Sequence, residues 1–278
     1  MELSTPAKIN LFLRITGRRP DGYHELDSVF LPVSLCDRVA LGAEASDRVE
    51  ITLRCNWPHL PLDDRNLAAR AARLFMEAAG VRWRIAIDLH KRIPDGAGLG
   101  GGSSDAGAVL RLLARLHAID PSALAALALR LGADVPFFLD PRPARVGGIG
   151  EQIAYMEGDC ELHMVIGVPP VTVPTAEIYR NLRQHDWSGP GPAVVCTAAN
   201  RLAPELLVND LEKPALALYP QIAEVKRLLH DLGAAGVLMS GSGGAVFGLF
   251  PSAREASAAA AKALVRMPQA RFFAASVI

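Results

Sequence analysis

The chain of 278 residues lacks any apolar run of the ~18 residues that a membrane-crossing helix needs. It also lacks an excess of either charge. Lys and Arg total 29, Asp and Glu total 29, and the formal net charge is zero. A protein built around nucleic acid carries a basic surplus, so nucleic-acid binding is disfavoured, a local basic groove apart. Cysteine is scarce. Cys36, Cys55, Cys160 and Cys196 are scattered with no CxxC pair. They read as reduced thiols in a cytoplasmic protein, neither a disulfide framework nor a zinc site. The opening MELSTPAKINLFLRITGRRPDGYHE has no basic lead followed by a long apolar stretch, so it reads as part of the fold rather than a secretory signal. No HExxH or comparable metal cluster occurs among the seven His. Lysine is rare too: Lys8, Lys91, Lys213, Lys226 and Lys262 are the only five among 29 bases. A lysine beside a chemical motif is therefore more informative than usual.

What is present is a folding composition, half apolar and 21% charged. At about 150 residues per domain the length suggests two domains. In the first half, Ile9 to Arg14, Ser28 to Leu35 and Val49 to Leu53 are short β-rich runs, and Arg82 to Leu89 alternates as a half-buried strand. Leu67, Ala71, Leu74 and Phe75 recur at helical spacing, with Gly80 as a stop. Ser104 to Leu116 is a second helix, and Asp120 with Pro121 opens a third that ends near Gly132. The Pro- and Gly-rich stretch 141–151 suggests a domain boundary near residue 156. Beyond it come strand Leu162 to Val168, a helix over Thr175 to Leu182, and helix Gln221 to Leu232. Strands near Val237 to Met239 and Ala245 to Phe250 follow, then a helix capped by Ser252 and Glu255, then strand Phe272 to Val277. That order is the split βαβ pattern of a ferredoxin-like sandwich. Residues 183–205 read as a loop.

Between Gly96 and Gly102, five of seven residues are Gly. Glycine loses the most conformational freedom on folding, so a run this dense implies a return. With no Cβ in the way, its N–H groups can converge on one point. The run leads from a strand into a helix opened by Ser103, Ser104 and Asp105, where the free amides and the helix dipole favour an anion, most naturally a phosphate chain. A Walker A loop is excluded because no Lys follows the glycines. Gly96, Gly98 and Gly101 spell GxGxxG, but Asp120 opens a helix instead of ending a second strand, which argues against a dinucleotide fold. Protein-kinase signatures and a G-x-S-x-G elbow are both missing.

Three motifs taken together resemble those of the GHMP small-molecule kinases: PAKINLFLRITGRRPDGYHEL, PDGAGLGGGSSDA and MSGSGGAVF, with GADVPFFL and NDLE adding to the match between Pro6 and Phe250. The resemblance implies an α+β, two-domain fold. An N-terminal mixed-sheet nucleotide-binding domain would span residues 1–156, and a C-terminal ferredoxin-like domain contributing to the substrate site would span 157–278. It implies transfer of the γ-phosphoryl of ATP, with Mg²⁺, to a hydroxyl of a small molecule, and no nucleic-acid, membrane or obligate protein partner. GRRPDGYHEL and Tyr179 resemble the branch whose substrate carries a cytidine diphosphate group, within the non-mevalonate isoprenoid route. Other kinases of the fold, acting on homoserine, mevalonate or a sugar, and a dinucleotide-binding protein are the alternatives.

By the same resemblance Lys8 and Asp134 are the catalytic pair. Asp134 would orient the hydroxyl and accept its proton, capping the turn after its helix stop, while Lys8 would keep that carboxylate ionised. Asn66 and Lys91 line the adenine pocket; Pro94, Gly96, Gly98, Leu99, Gly100, Gly101, Gly102, Ser103 and Ser104 hold the phosphates. Tyr23, His24 and Tyr179 lie at the cytidine end, where an aromatic face can stack a pyrimidine, and Asn10 and Thr175 are polar neighbours of the substrate. SGSGG at 240–244 supports the phosphate loop. Ser103 or Ser104 could touch Mg²⁺, and no carboxylate stands out as a metal ligand. Two departures from the family pattern stand in the loop: Asp95, an acid where an apolar residue is usual, and Ala97 in place of a Gly.

Overall fold

A computed structural model describes residues 1–158, 160–192 and 206–278. Cys196 and most of the 183–205 loop lie outside the described residues. The chain forms two compact units, each discontinuous in sequence. The first comprises Met1–Ala7, Cys36–Ile93 and Gly100–Pro141; the second comprises Lys8–Leu35, Pro94–Leu99 and Arg142–Ile278. Two long strands, β1 (Glu2–Arg18) and β2 (His24–Ala45), therefore supply residues to both. The sequence suggests a single division near residue 156. These strands are 17 and 22 residues long, far beyond the short runs read from the sequence.

In the first unit, β4 (Trp83–His90) pairs antiparallel with Arg38–Ala45 of β2 and parallel with β3 (Glu50–Cys55), which makes the sheet mixed as expected. The alternation of β4 is realised: Ile85, Ile87 and Leu89 are buried while Arg84, Ala86 and Asp88 face solvent. Over that face lie α1 (Leu67–Ala79), α2 (Gly101–Leu116) and α3 (Pro121–Leu131), with Phe75, Met76, Val109, Leu110 and Leu113 in the core. A short 3₁₀ helix, Pro136–Leu139, packs its Phe138 against α2 at Gly107, where a Cβ would come within 2.7 Å.

In the second unit, β5 (Ala144–Gly148) pairs with Leu26–Phe30 of β2 and with β6 (Gln152–Tyr155). β5 lies within the Pro- and Gly-rich stretch 141–151 and β6 follows it, with Gly150 in the turn between them. A second sheet runs β10-β7-β9-β8, all antiparallel, from β7 (His163–Val168), β8 (Gly236–Met239), β9 (Val246–Phe250) and β10 (Arg271–Ser276). With α6 (Pro220–Asp231) and α7 (Ala253–Arg266) it completes the split βαβ pattern. Ser252 caps α7 as expected, its Oγ accepting the Glu255 N–H at 3.2 Å. Helices α4 (Thr175–Asn181) and α5 (Glu212–Leu218) precede α6.

Candidate active site

Of the glycine-rich segment, Pro94–Leu99 belong to the second unit and Gly100 onward to the first. Gly96, Gly98 and Gly100 have φ of 65°, 80° and 72°, so left-handed residues alternate with ordinary ones, a backbone pattern that turns successive amides toward a common side. Gly100 is the N-cap residue of α2 and provides no side-chain cap, leaving the first amides of the helix open. Ser103 is half-buried and Gly102 exposed, while Ser104 is buried and its Oγ has no hydrogen-bond partner. A buried hydroxyl without a protein partner at the start of a 16-residue helix has a donor and an acceptor to offer a ligand. Asp95 is exposed, so its carboxylate is solvated. Ala97 is accommodated because it does not need a positive φ. Pro94 and Leu99 are buried anchors of the segment.

The SGSGG stretch braces the loop within the second unit. A Cβ on Gly243 would lie 2.2 Å from the Gly98 nitrogen, and one on Gly98 would lie 2.4 Å from the Ser240 carbonyl oxygen. The Ala245 N–H donates to the Ala97 carbonyl at 3.0 Å. Lys8, 3% exposed, donates its backbone N–H to the Leu99 carbonyl at 2.9 Å and its ammonium to Asn10 Oδ1 at 2.7 Å. Asn10 Nδ2 donates to Ser28 Oγ at 2.9 Å, and the Asn10 N–H donates to Ser240 Oγ at 3.2 Å. Lys8, Asn10, the entry to the loop and SGSGG are thus assembled as the motifs imply. Asn209 was missed as a participant. Its Nδ2 donates to the carbonyls of Met239 and Gly241, both at 2.8 Å, and so holds the brace. Only its place in NDLE signals it.

Also in the second unit, the His24 and Tyr179 rings stack with centroids 5.2 Å apart and planes at 29°. Trp187 meets His24 edge-on at 5.8 Å and is a third ring that sequence reasoning left in a loop. Asp210 holds that segment, accepting Ser188 N–H at 2.9 Å and Ile15 N–H at 2.7 Å. Burial first, and Arg18 second, lower the His24 pKa below its ordinary value, keeping the imidazole neutral with one donor and one acceptor. Tyr23 is 62% exposed in the turn between β1 and β2 and is not part of the stack. Thr175 Oγ1 lies 2.8 Å from Ser242 Oγ, joining the start of α4 to the brace.

In the first unit, Asp134 is half-buried in the turn before the 3₁₀ helix. That helix has Val135 at its cap position. Asn66 caps α1, accepting Ala68 N–H at 3.0 Å and donating to the Pro61 carbonyl at 3.0 Å. Lys91 is 5% exposed and its ammonium is held by Asp37 and Asp105. Among the described residues no group of three or more His, Cys, Asp or Glu could hold a metal, and no helix is long and apolar enough to cross a membrane. Mg²⁺ bound through phosphates needs few protein ligands, and the orphan Ser104 hydroxyl fits that role.

Two family descriptions match the chain: GHMP kinases N terminal domain over residues 66–140 and GHMP kinases C terminal over 178–267. The 4-diphosphocytidyl-2-C-methyl-D-erythritol kinase of Syntrophotalea carbinolica is 43% identical over 92% of this chain and 91% of its own. The protein of that name from Thermus thermophilus is 44% identical over 90% and 87%. A crystal structure of 4-(cytidine 5'-diphospho)-2C-methyl-D-erythritol kinase superposes with a TM-score of 0.82 at 40% identity, covering 100% of this chain and 99% of that one. Homoserine kinase from Cytophaga hutchinsonii superposes with a TM-score of 0.76 at 19% identity, over 100% and 94%, and shares the fold. The chain belongs to the GHMP kinases. Members of this family use ATP as phosphoryl donor.

Proposed function

We propose that the chain transfers the γ-phosphoryl group of ATP to the 2-hydroxyl of 4-diphosphocytidyl-2-C-methyl-D-erythritol, a step of the non-mevalonate route to isoprenoid precursors, as a cytoplasmic enzyme. The observation that carries this reading is the identity of 40–44% across at least 90% of the chain to eight relatives bearing that name. The stacked His24 and Tyr179 supply a chemical reason for it. Two flat rings can hold a pyrimidine, and the neutral imidazole can read its edge.

Phosphoryl transfer asks a protein mainly for positioning and charge stabilisation. Residues 96–104 offer backbone amides to the polyphosphate, and Pro94 and Leu99 fix the segment. Asn66 has an engaged side chain, so what it gives the adenine side is shape, and the Lys91 ammonium is held by two carboxylates. Ser104 would hold Mg²⁺, which neutralises phosphate charge when bound. Asp134 accepts the hydroxyl proton as the alcohol oxygen bonds to the γ-phosphorus, and ADP departs with the electron pair of the broken P–O bond. Lys8, aimed by Asn10, is the positive charge of the catalytic pair. Asn10 and Thr175 orient the erythritol portion, and Tyr23 closes the cytidine end from its exposed turn.

The test mixes the purified protein with ATP, Mg²⁺ and the cytidine-bearing alcohol and follows ADP. Turnover that depends on that alcohol is expected. Turnover on homoserine or mevalonate in its place would overturn the assignment, and stabilisation by NAD but not ATP in a thermal-shift measurement would overturn the kinase reading itself.

A further inference from the structure

Three buried ionisable side chains of the first unit have no part in the chemistry above. Asp37 lies on β2, Lys91 follows β4, and Asp105 lies near the start of α2; they are 2%, 5% and 2% exposed. The Lys91 ammonium donates to Asp37 Oδ2 and, at 2.6 Å, to Asp105 Oδ2. Asp37 Oδ1 accepts the N–H groups of Arg92 at 2.5 Å and Ile93 at 2.8 Å. Asp105 Oδ1 accepts from Thr5 Oγ1 at 3.1 Å. A Cβ on Gly101 would lie 2.9 Å from Ile93 Cγ2 and 3.4 Å from Lys91 Nζ. The chain entering the glycine-rich segment at 91–93 and the chain leaving it at 101–105 are therefore tied through one ammonium and two carboxylates, with no room to slide.

Two carboxylates sharing one ammonium out of water are a poor way to gain stability, because desolvation offsets the attraction. Burial foremost, opposed by Lys91 and reinforced by Asp37, raises Asp105 to about 6. What such a cluster does provide is direction. Each bond fixes one backbone element relative to another.

We propose that Asp37, Lys91 and Asp105 form a clasp that sets the geometry of the phosphate-binding segment, and that Lys91 acts as a positioning residue through this clasp instead of touching the base. The proposal rests on the phosphate reading of residues 96–104. It separates Lys91 from the adenine: loosening the clasp weakens the grip on phosphates and leaves the nucleoside end alone.

Calorimetric titration of the full chain with ATP, tripolyphosphate and adenosine tests it, in the wild type, in Asp37→Asn, in Asp105→Asn, and in the charge-neutral triple variant D37N/K91M/D105N. The triple variant leaves no unpaired charge buried, so it provides a folded protein if a single change unfolds the chain; melting temperature is read alongside. The folded variants are expected to lose about tenfold or more in affinity for both ATP and tripolyphosphate, the scale of one charge-assisted hydrogen bond, with a matching rise in KM for ATP and an unchanged affinity for adenosine. Folded variants that bind tripolyphosphate like the wild type, or that lose adenosine in equal measure, would overturn the clasp alone. A wild type that ignores tripolyphosphate would overturn the phosphate reading and the clasp with it.

Discussion

Gly243 and Gly98 touch backbone to backbone: a Cβ on Gly243 would stand 2.2 Å from the Gly98 nitrogen and 2.2 Å from the Ala97 carbonyl carbon. No rotamer relieves such a clash, because both obstacles are main chain. Gly243→Ala must push the 97–98 segment aside. The expected cost is about 1–3 kcal/mol of stability, typical of overpacking, with a rise in KM for ATP larger than any change in KM for the alcohol. Thermal melts and steady-state kinetics check both.

Asp134→Asn removes the proton acceptor and keeps the size of the side chain. The expected fall in kcat is about 10²- to 10⁴-fold, the usual worth of a positioned base, while ATP affinity measured by titration stays within twofold or so. Retained turnover would exclude the base role.

Tyr179→Ala removes one of the stacked rings. Stacking on a base is worth about 1–3 kcal/mol, so KM for the cytidine-bearing alcohol should rise about ten- to hundredfold with kcat nearly unchanged. Tyr179→Phe should behave as the wild type. Trp187→Ala should shift the same KM in the same direction, since that ring backs His24.

How much of this was legible in sequence differs by region. The period-two pattern of 82–89 gave β4 to within a residue, because one face of it meets the core of α1 and α2 and the other meets water. Helix α2 begins at Gly101, inside a glycine run that local propensity excludes, since Ile93 packs where a larger residue would not fit. The hairpin of β5 and β6 was invisible because its partner, Leu26–Phe30, lies more than a hundred residues away. In the site, Lys8, Asn10 and the two glycine motifs were readable as motifs. Ser28 and Trp187 were not, for each matters through a partner distant in sequence, Asn10 and His24, and Asn209 stood within NDLE without its partner Gly241 being announced. Lys91 shows the opposite case, a conspicuous lysine whose two carboxylate partners no local pattern announces.

The His24 imidazole has its pKa lowered from the ordinary 6.5, burial leading and Arg18 second. Below that value the unfolded chain takes up a proton more readily than the folded one. The neutral ring's contribution to stability is therefore whole above about pH 6.5 and declines as the solution is acidified through the lowered folded value. Stability measured by urea unfolding between pH 7 and 5 should fall less steeply in His24→Gln. KM for the cytidine-bearing alcohol should rise over the same window in the wild type and stay level in the variant.

Asn209 and Asp210 are neighbours in the chain, yet the first secures Gly241 of the brace and the second secures Ser188 beside the aromatic wall. Donor handling and acceptor choice hence share a two-residue knot. Anyone retargeting this enzyme to a different alcohol should rebuild the rings and leave 209–210 untouched, since loosening that knot would degrade nucleotide use before any new preference could emerge.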